Sequence, residues 1–104
     1  MEKKYTVEFE DKELLRKLEA VFSDMASKEY LINSVFETHR YDTDGGVVES
    51  KPFQAFLKQF AEIKYEYNML MDEVQDKYVP EDAQLRGCTW EVKFDEEQVE
   101  ITLA

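Results

Sequence analysis

One cysteine, one histidine, two prolines and three glycines are all that 104 residues contain of these types. Each scarcity excludes something. A lone Cys88 closes no internal disulfide and fits a reducing compartment, so a cytoplasmic location is expected. A lone His39 cannot supply the two Glu-x-x-His pairs of a di-iron helical bundle, and it follows Glu37 by only two residues, off its face. No serine or cysteine stands beside it in a recognisable nucleophilic arrangement. No enzyme class is therefore expected, and no cofactor. No apolar run approaches the ~20 residues that span a bilayer. Met1 to Tyr5 are mostly charged and polar and lead straight into a strand pattern, unlike a signal peptide. Positive charge is also scarce, with 13 basic residues against 24 acidic ones and a net charge of −11. Nucleic acids and anionic membranes need a positive surface, so neither is expected as a direct partner.

What the chain does have is two long helical seams. Leu15, Leu18, Phe22, Met25, Ile32 and Phe36 recur at steps of three and four, with Glu29 in the one missing slot. Phe53, Phe56, Phe60, Ile63, Tyr67, Leu70 and Val74 repeat the rhythm without interruption. This spacing draws an apolar stripe down one side of each helix. Two such stripes joined by a short loop predict an antiparallel hairpin with coiled-coil-like packing.

The signals for where the helices begin and end are equally local. Asp11 offers an N-cap for a first helix running from about Lys12 to about Tyr41, and Asp42-Thr43-Asp44-Gly45-Gly46 ends it. Val47 to Glu49 complete the loop. Ser50 and Pro52 open a second helix that runs to about Tyr78, where Val79-Pro80 stops it. Residues 80–87 read as a polar connector.

Three stretches alternate with the period of a strand. They are Tyr5-Val7-Phe9, Trp90-Val92-Phe94 and Val99-Ile101-Leu103, the last two joined by a turn at Asp95 to Gln98. The expected architecture is one α+β domain, 1–104, of order β-α-α-β-β. A long helical hairpin packs on a small three-stranded antiparallel sheet, and the first strand is expected beside the first strand of the hairpin.

Lengths then matter. Helices of roughly 27–30 residues measure ~40–45 Å, and strands of about six residues ~20 Å. The sheet is expected to cover about half of the helical hairpin. Leu31, Val35 and Leu57 lie beside the seam rather than in it, more apolar surface than one helix–helix contact uses. They are the expected interface of a homodimer.

Candidate sites are few. Asp42 to Gly46 resemble the opening of a calcium loop, but its sixth position is Val47 and its twelfth Phe53, where glycine and a bidentate acid are needed. Glu62 and Glu66 share a face and Glu29 lies on the seam, so a dimer could gather carboxylates around a metal. Solvated faces, with Glu29 as a buried register-setter, account for them without a metal. Trp90 is expected in the core, and Cys88, at the entrance to the β-hairpin, is expected to be a small semi-apolar packing residue.

Acidic residues carry the remaining signal. Glu66 to Ala104 hold 11 acids and 3 bases, a net of −8. Asp72, Glu73 and Asp76 fall in the last turns of the second helix, where they oppose its dipole. Glu81 and Asp82 extend this patch, and Asp95, Glu96 and Glu97 form another. These eight are the expected partner-binding residues. The functional expectation is a non-enzymatic binding protein whose acidic surface engages a basic partner. In its sharpest form it is an inhibitor that mimics nucleic acid in the groove of another protein, as anti-CRISPR and anti-restriction proteins do, an analogy from size and charge. The alternatives are an assembly adaptor using its helical hairpin and a carboxylate-bridged metal protein.

Overall fold

The computed structural model describes residues 3–39 and 46–103. The order is β1 (Lys3–Glu8), α1 (Lys12–His39), a 3-10 turn at Gly46–Glu49, α2 (Lys51–Tyr78), α3 (Glu81–Arg86), β2 (Cys88–Lys93) and β3 (Gln98–Leu103). Two long helices and a three-stranded antiparallel sheet make an α+β fold. The chain divides into two compact units. One comprises Met1–Glu19 with Met69–Ala104, the other Ala20–Asn68. The expected helix-ending turn at Asp42 to Gly45 lies outside the described residues, as does Tyr41.

In the first unit the sheet order is β1-β3-β2. The expected order is corrected: β1 lies beside β3, not β2. Val99 and Ile101 on the central strand are fully buried, while the bulky Trp90 sits half-buried on an edge. Pairing extends past β1 through the Phe9 N–H, which donates to the Glu97 carbonyl at 2.9 Å. The register aligns Tyr5, Ile101 and Trp90 in one row and Val7, Val99 and Val92 in the next. Side chains alternate along strands, so these rows form the apolar face. Leu14, Leu15, Leu18, Leu70 and Val74, all buried, belong to the same unit.

The turn between β2 and β3 is Phe94 to Glu97, one residue earlier than expected. The Glu97 N–H donates to the Phe94 carbonyl, and Glu97 takes φ +54° to close the loop. Phe94 is therefore a turn residue rather than the end of a strand.

Both cap predictions hold. Asp11 Oδ1 accepts from the Leu14 N–H at 3.1 Å while its carbonyl accepts from Leu15 at 3.0 Å. Ser50 Oγ accepts from the Phe53 N–H at 3.3 Å and donates to the Val47 carbonyl at 2.7 Å. Each cap satisfies an amide that the first helical turn leaves open.

Residues 80–87 are not a plain connector. They contain α3, which buries Ala83 and ends at Gly87 with φ +81°. Six residues are too few for an apolar period to show, so this helix left no sequence signal. The Gln84 amide donates to the Val79 carbonyl at 2.8 Å, and the Gln75 amide donates to Gln84 Oε1 at 3.0 Å. These bonds tie α3 to the end of α2. Tyr78 serves the same end, with its ring 4.6 Å from that of Phe9 and its hydroxyl accepting the Asp11 N–H at 2.9 Å.

The second unit is a helical hairpin. Phe22 meets Tyr67 at 5.9 Å and Phe36 meets Phe53 edge-on at 5.7 Å. Early residues of α1 thus face late residues of α2, the antiparallel pairing that the seams predict. Burial raises the Tyr67 phenol above its ordinary pKa. Among the described residues of this unit only Ile32 and Phe53 are buried apolar side chains. Phe22 and Phe36 remain 40% and 43% exposed. Two helices alone present one contact line, which cannot enclose large aromatic rings from all sides.

Candidate partner-binding site

All eight predicted partner-binding acids belong to the first unit: Asp72, Glu73, Asp76, Glu81, Asp82, Asp95, Glu96 and Glu97. All are exposed. Three elements carry them. Asp72, Glu73 and Asp76 come from the closing turns of α2, Glu81 and Asp82 from the first turn of α3, and the rest from the β2–β3 turn.

They fall into two kinds. Glu73 shares Lys77 with Asp11, at 3.7 and 3.1 Å respectively. Glu97 pairs with Lys12, which also contacts Glu8 at 3.7 Å. The side-chain hydrogen bond and charge of Lys12 hold the Glu97 carboxyl below its ordinary pKa, and Glu97 in turn raises the Lys12 ammonium. Asp11 is lowered first by the Leu14 amide it caps and then by Lys77. Glu73 and Glu97 are thus tied into the fold. Asp72, Asp76, Glu81, Asp82, Asp95 and Glu96 make no ion pair among the described residues.

The helix in residues 80–87 changes the meaning of two acids. Glu81 and Asp82 occupy the first turn of α3, where negative charge is favourable. A local structural reason therefore exists for them. None exists for Asp72 and Asp76, which lie in the closing turns of α2 with Lys77 as the only basic residue of the last turn.

The other predicted residues are placed as follows. Leu31 is 52% exposed, and Val35 and Leu57 are half-buried. Two tyrosines for which no site was predicted, Tyr30 and Tyr65, are 73% and 67% exposed. Glu29 is exposed, so it is not a buried register-setter; a long acidic side chain at the border of a two-helix layer reaches water. Glu62 and Glu66 are exposed too. His39 is half-buried in the last described turn of α1, and Cys88 is a free, half-buried thiol on β2. Among the described residues no group of three or more His, Cys, Asp or Glu could hold a metal ion. No helix among them is long and apolar enough to cross a membrane.

The molecule is thus an α+β protein with an acidic sheet-and-helix unit and a sparsely buried helical hairpin. No protein-family model, curated protein or solved structure matches the chain.

Proposed function

We propose that this chain is a non-enzymatic acidic binding protein of the cytoplasm that engages a basic surface of a partner protein. One observation carries the reading: Asp72, Asp76, Glu81, Asp82, Asp95 and Glu96, all exposed and without an ion pair among the described residues, lie in the compact unit that holds most of the excess negative charge. That unit holds 16 acids and 8 bases. Exposed charge of one sign steers an oppositely charged surface into encounter. The sharpest form is an inhibitor that occupies the nucleic-acid groove of its partner, presenting carboxylates where phosphates would lie. The chain works as a homodimer in this reading. The exposure of Leu31 beside Val35, in a unit that buries few of its aromatic residues, supports self-association through the hairpin.

The same exposed residues support a second reading, an adaptor that uses the hairpin as its contact surface and its charge only for solubility. A carboxylate-bridged metal protein would need acids from two copies, since no single chain gathers them among the described residues.

The test is capture of partners from the native host, followed by binding at two ionic strengths. The variant carries Asp72→Asn, Glu73→Gln, Asp76→Asn, Glu81→Gln and Asp82→Asn. Association should slow and lose most of its salt dependence. Unchanged binding at both ionic strengths would move the adaptor reading into first place.

A further inference from the structure

The sheet has two open edges, and they differ. No hydrogen bond among the described residues reaches the outer edge of either β1 or β2. On β1 the edge carries Lys3 and Lys4, and lysine on an edge discourages added strands, whereas the one lysine of β2, Lys93, is paired with Glu91. On β2 the six residues are Cys88-Thr89-Trp90-Glu91-Val92-Lys93, with neither proline nor a bulge in the pairing.

The ladder determines which groups of β2 are open. In an antiparallel sheet successive residues bond alternately to one neighbour and the other. The Phe9 to Glu97 bond directs Glu97, Val99 and Ile101 toward β1. Gln98, Glu100 and Thr102 then bond Lys93, Glu91 and Thr89. The N–H and C=O groups of Cys88, Trp90 and Val92 are left pointing outward.

Side chains add two further signals. Cys88, Trp90 and Val92 are half-buried on the apolar face. Their open side gives an incoming strand an apolar row to cover. On the other face Glu91 stands directly opposite Glu100. Like charges in that relation destabilise a sheet. Lys93 contacts Glu91 at 3.0 Å, and no other ion pair to either acid exists among the described residues. Asp95 and Glu96 follow in the adjoining turn.

We propose that the β2 edge accepts an extended segment of a partner protein in which basic and apolar residues alternate. Main-chain bonds to Cys88, Trp90 and Val92 supply the pairing, as in other strand additions. Residues opposite Trp90 and Val92 are apolar, and those opposite Thr89 and Glu91 are basic, since directly opposed side chains share a face. A second copy is disfavoured at this edge because its own β2 would bring Glu91, with Asp95 and Glu96 of the adjoining turn, against the same acids. This inference rests on the proposed engagement of a basic partner and names how that partner is held.

The probe is a blocked peptide of about eight residues alternating lysine and valine. Its controls are the same residues in separate blocks and a glutamate–valine alternation. Residue-resolved amide exchange of the full chain is the readout. The alternating basic peptide should slow exchange at Cys88, Trp90 and Val92 at least about tenfold, and the controls should not. Val92→Pro removes an outward donor without breaking a bond to β3 and should abolish the effect. Glu91→Lys leaves the backbone whole and should abolish it as well, even if the proline variant fails to fold. Binding without protection of these amides, lost only in the five-acid helical variant, overturns strand addition while leaving the acidic-surface reading standing. Protection without peptide, at doubled mass, assigns the edge to a second copy and overturns the proposal. Failure of every peptide to bind overturns it too.

Discussion

Single residues hold this small fold at its joints. Gly87 combines φ +81° with ψ 115°, and open space surrounds the position where a Cβ would stand. The requirement there is conformational, not steric crowding. Gly87→Ala should cost about 2 kcal/mol, read as a lower denaturation midpoint. Asp11 and Glu97 contribute to the acid limb of stability. Their folded pKa values lie below the ordinary 3.8 and 4.5. They stabilise above those ordinary values, and the contribution vanishes as pH falls through the lower folded ones. Lys12 and Lys77 act oppositely. Their folded pKa values exceed 10.5, so their contribution is present below that pH and is lost as it rises further. Thermal melts from pH 2 to pH 6 should show a steeper decline for the native chain than for Asp11→Asn/Glu97→Gln. Equal slopes would remove these two carboxyls from the acid limb.

At the scale of elements the two long helices are unequally used along their length. Leu18 on α1 and Val74 on α2 are fully buried, whereas Tyr30, on the same helix as Leu18, is mostly exposed. Leu18→Ala should destabilise by about 3 kcal/mol through lost transfer energy and an unfilled cavity. Tyr30→Ala should change stability by less than about 0.5 kcal/mol, as surface substitutions do. Urea denaturation of the two variants tests the difference. A comparable loss in both would mean that Tyr30 is covered in solution. The seams were legible in the sequence because apolar residues repeat at helical spacing for about six turns, broken only at Glu29. The helix α3 was not, since six residues cannot display a period. Its anchoring by Gln75 and Gln84 joins residues nine apart through side-chain amides, which no spacing rule reveals.

For the whole molecule the question is what meets the exposed surface. The two units differ in charge, and both expose apolar side chains, Met69 and Leu85 in the sheet unit among them. The sheet unit carries the larger acidic excess, while Tyr30, Leu31, Phe36 and Tyr65 are exposed in the hairpin unit. Homodimerisation through the hairpin predicts a mass near twice 12.4 kDa by light scattering at micromolar concentration. Val35→Glu should shift it toward the monomer, because a carboxylate would be desolvated within an apolar contact. A monomer at every concentration would assign these residues to another partner.

The sequence by itself determined the two helices, their caps at Asp11 and Ser50, the three strands and the acidic excess. Each of these is set by local spacing, by a cap beside the helix it opens, or by composition. Only the tertiary structure decided that β3 lies between β1 and β2, because strand order follows from which apolar rows are covered on both sides, and every strand alternates alike. Only the structure divided the acids into those tied to lysines and those left open. Asp11 and Lys77 lie 66 positions apart, as far beyond local spacing as Lys12 and Glu97 are. It also showed Trp90 half-exposed at the sheet margin, a consequence of β2 being an edge strand with a neighbour on one side alone.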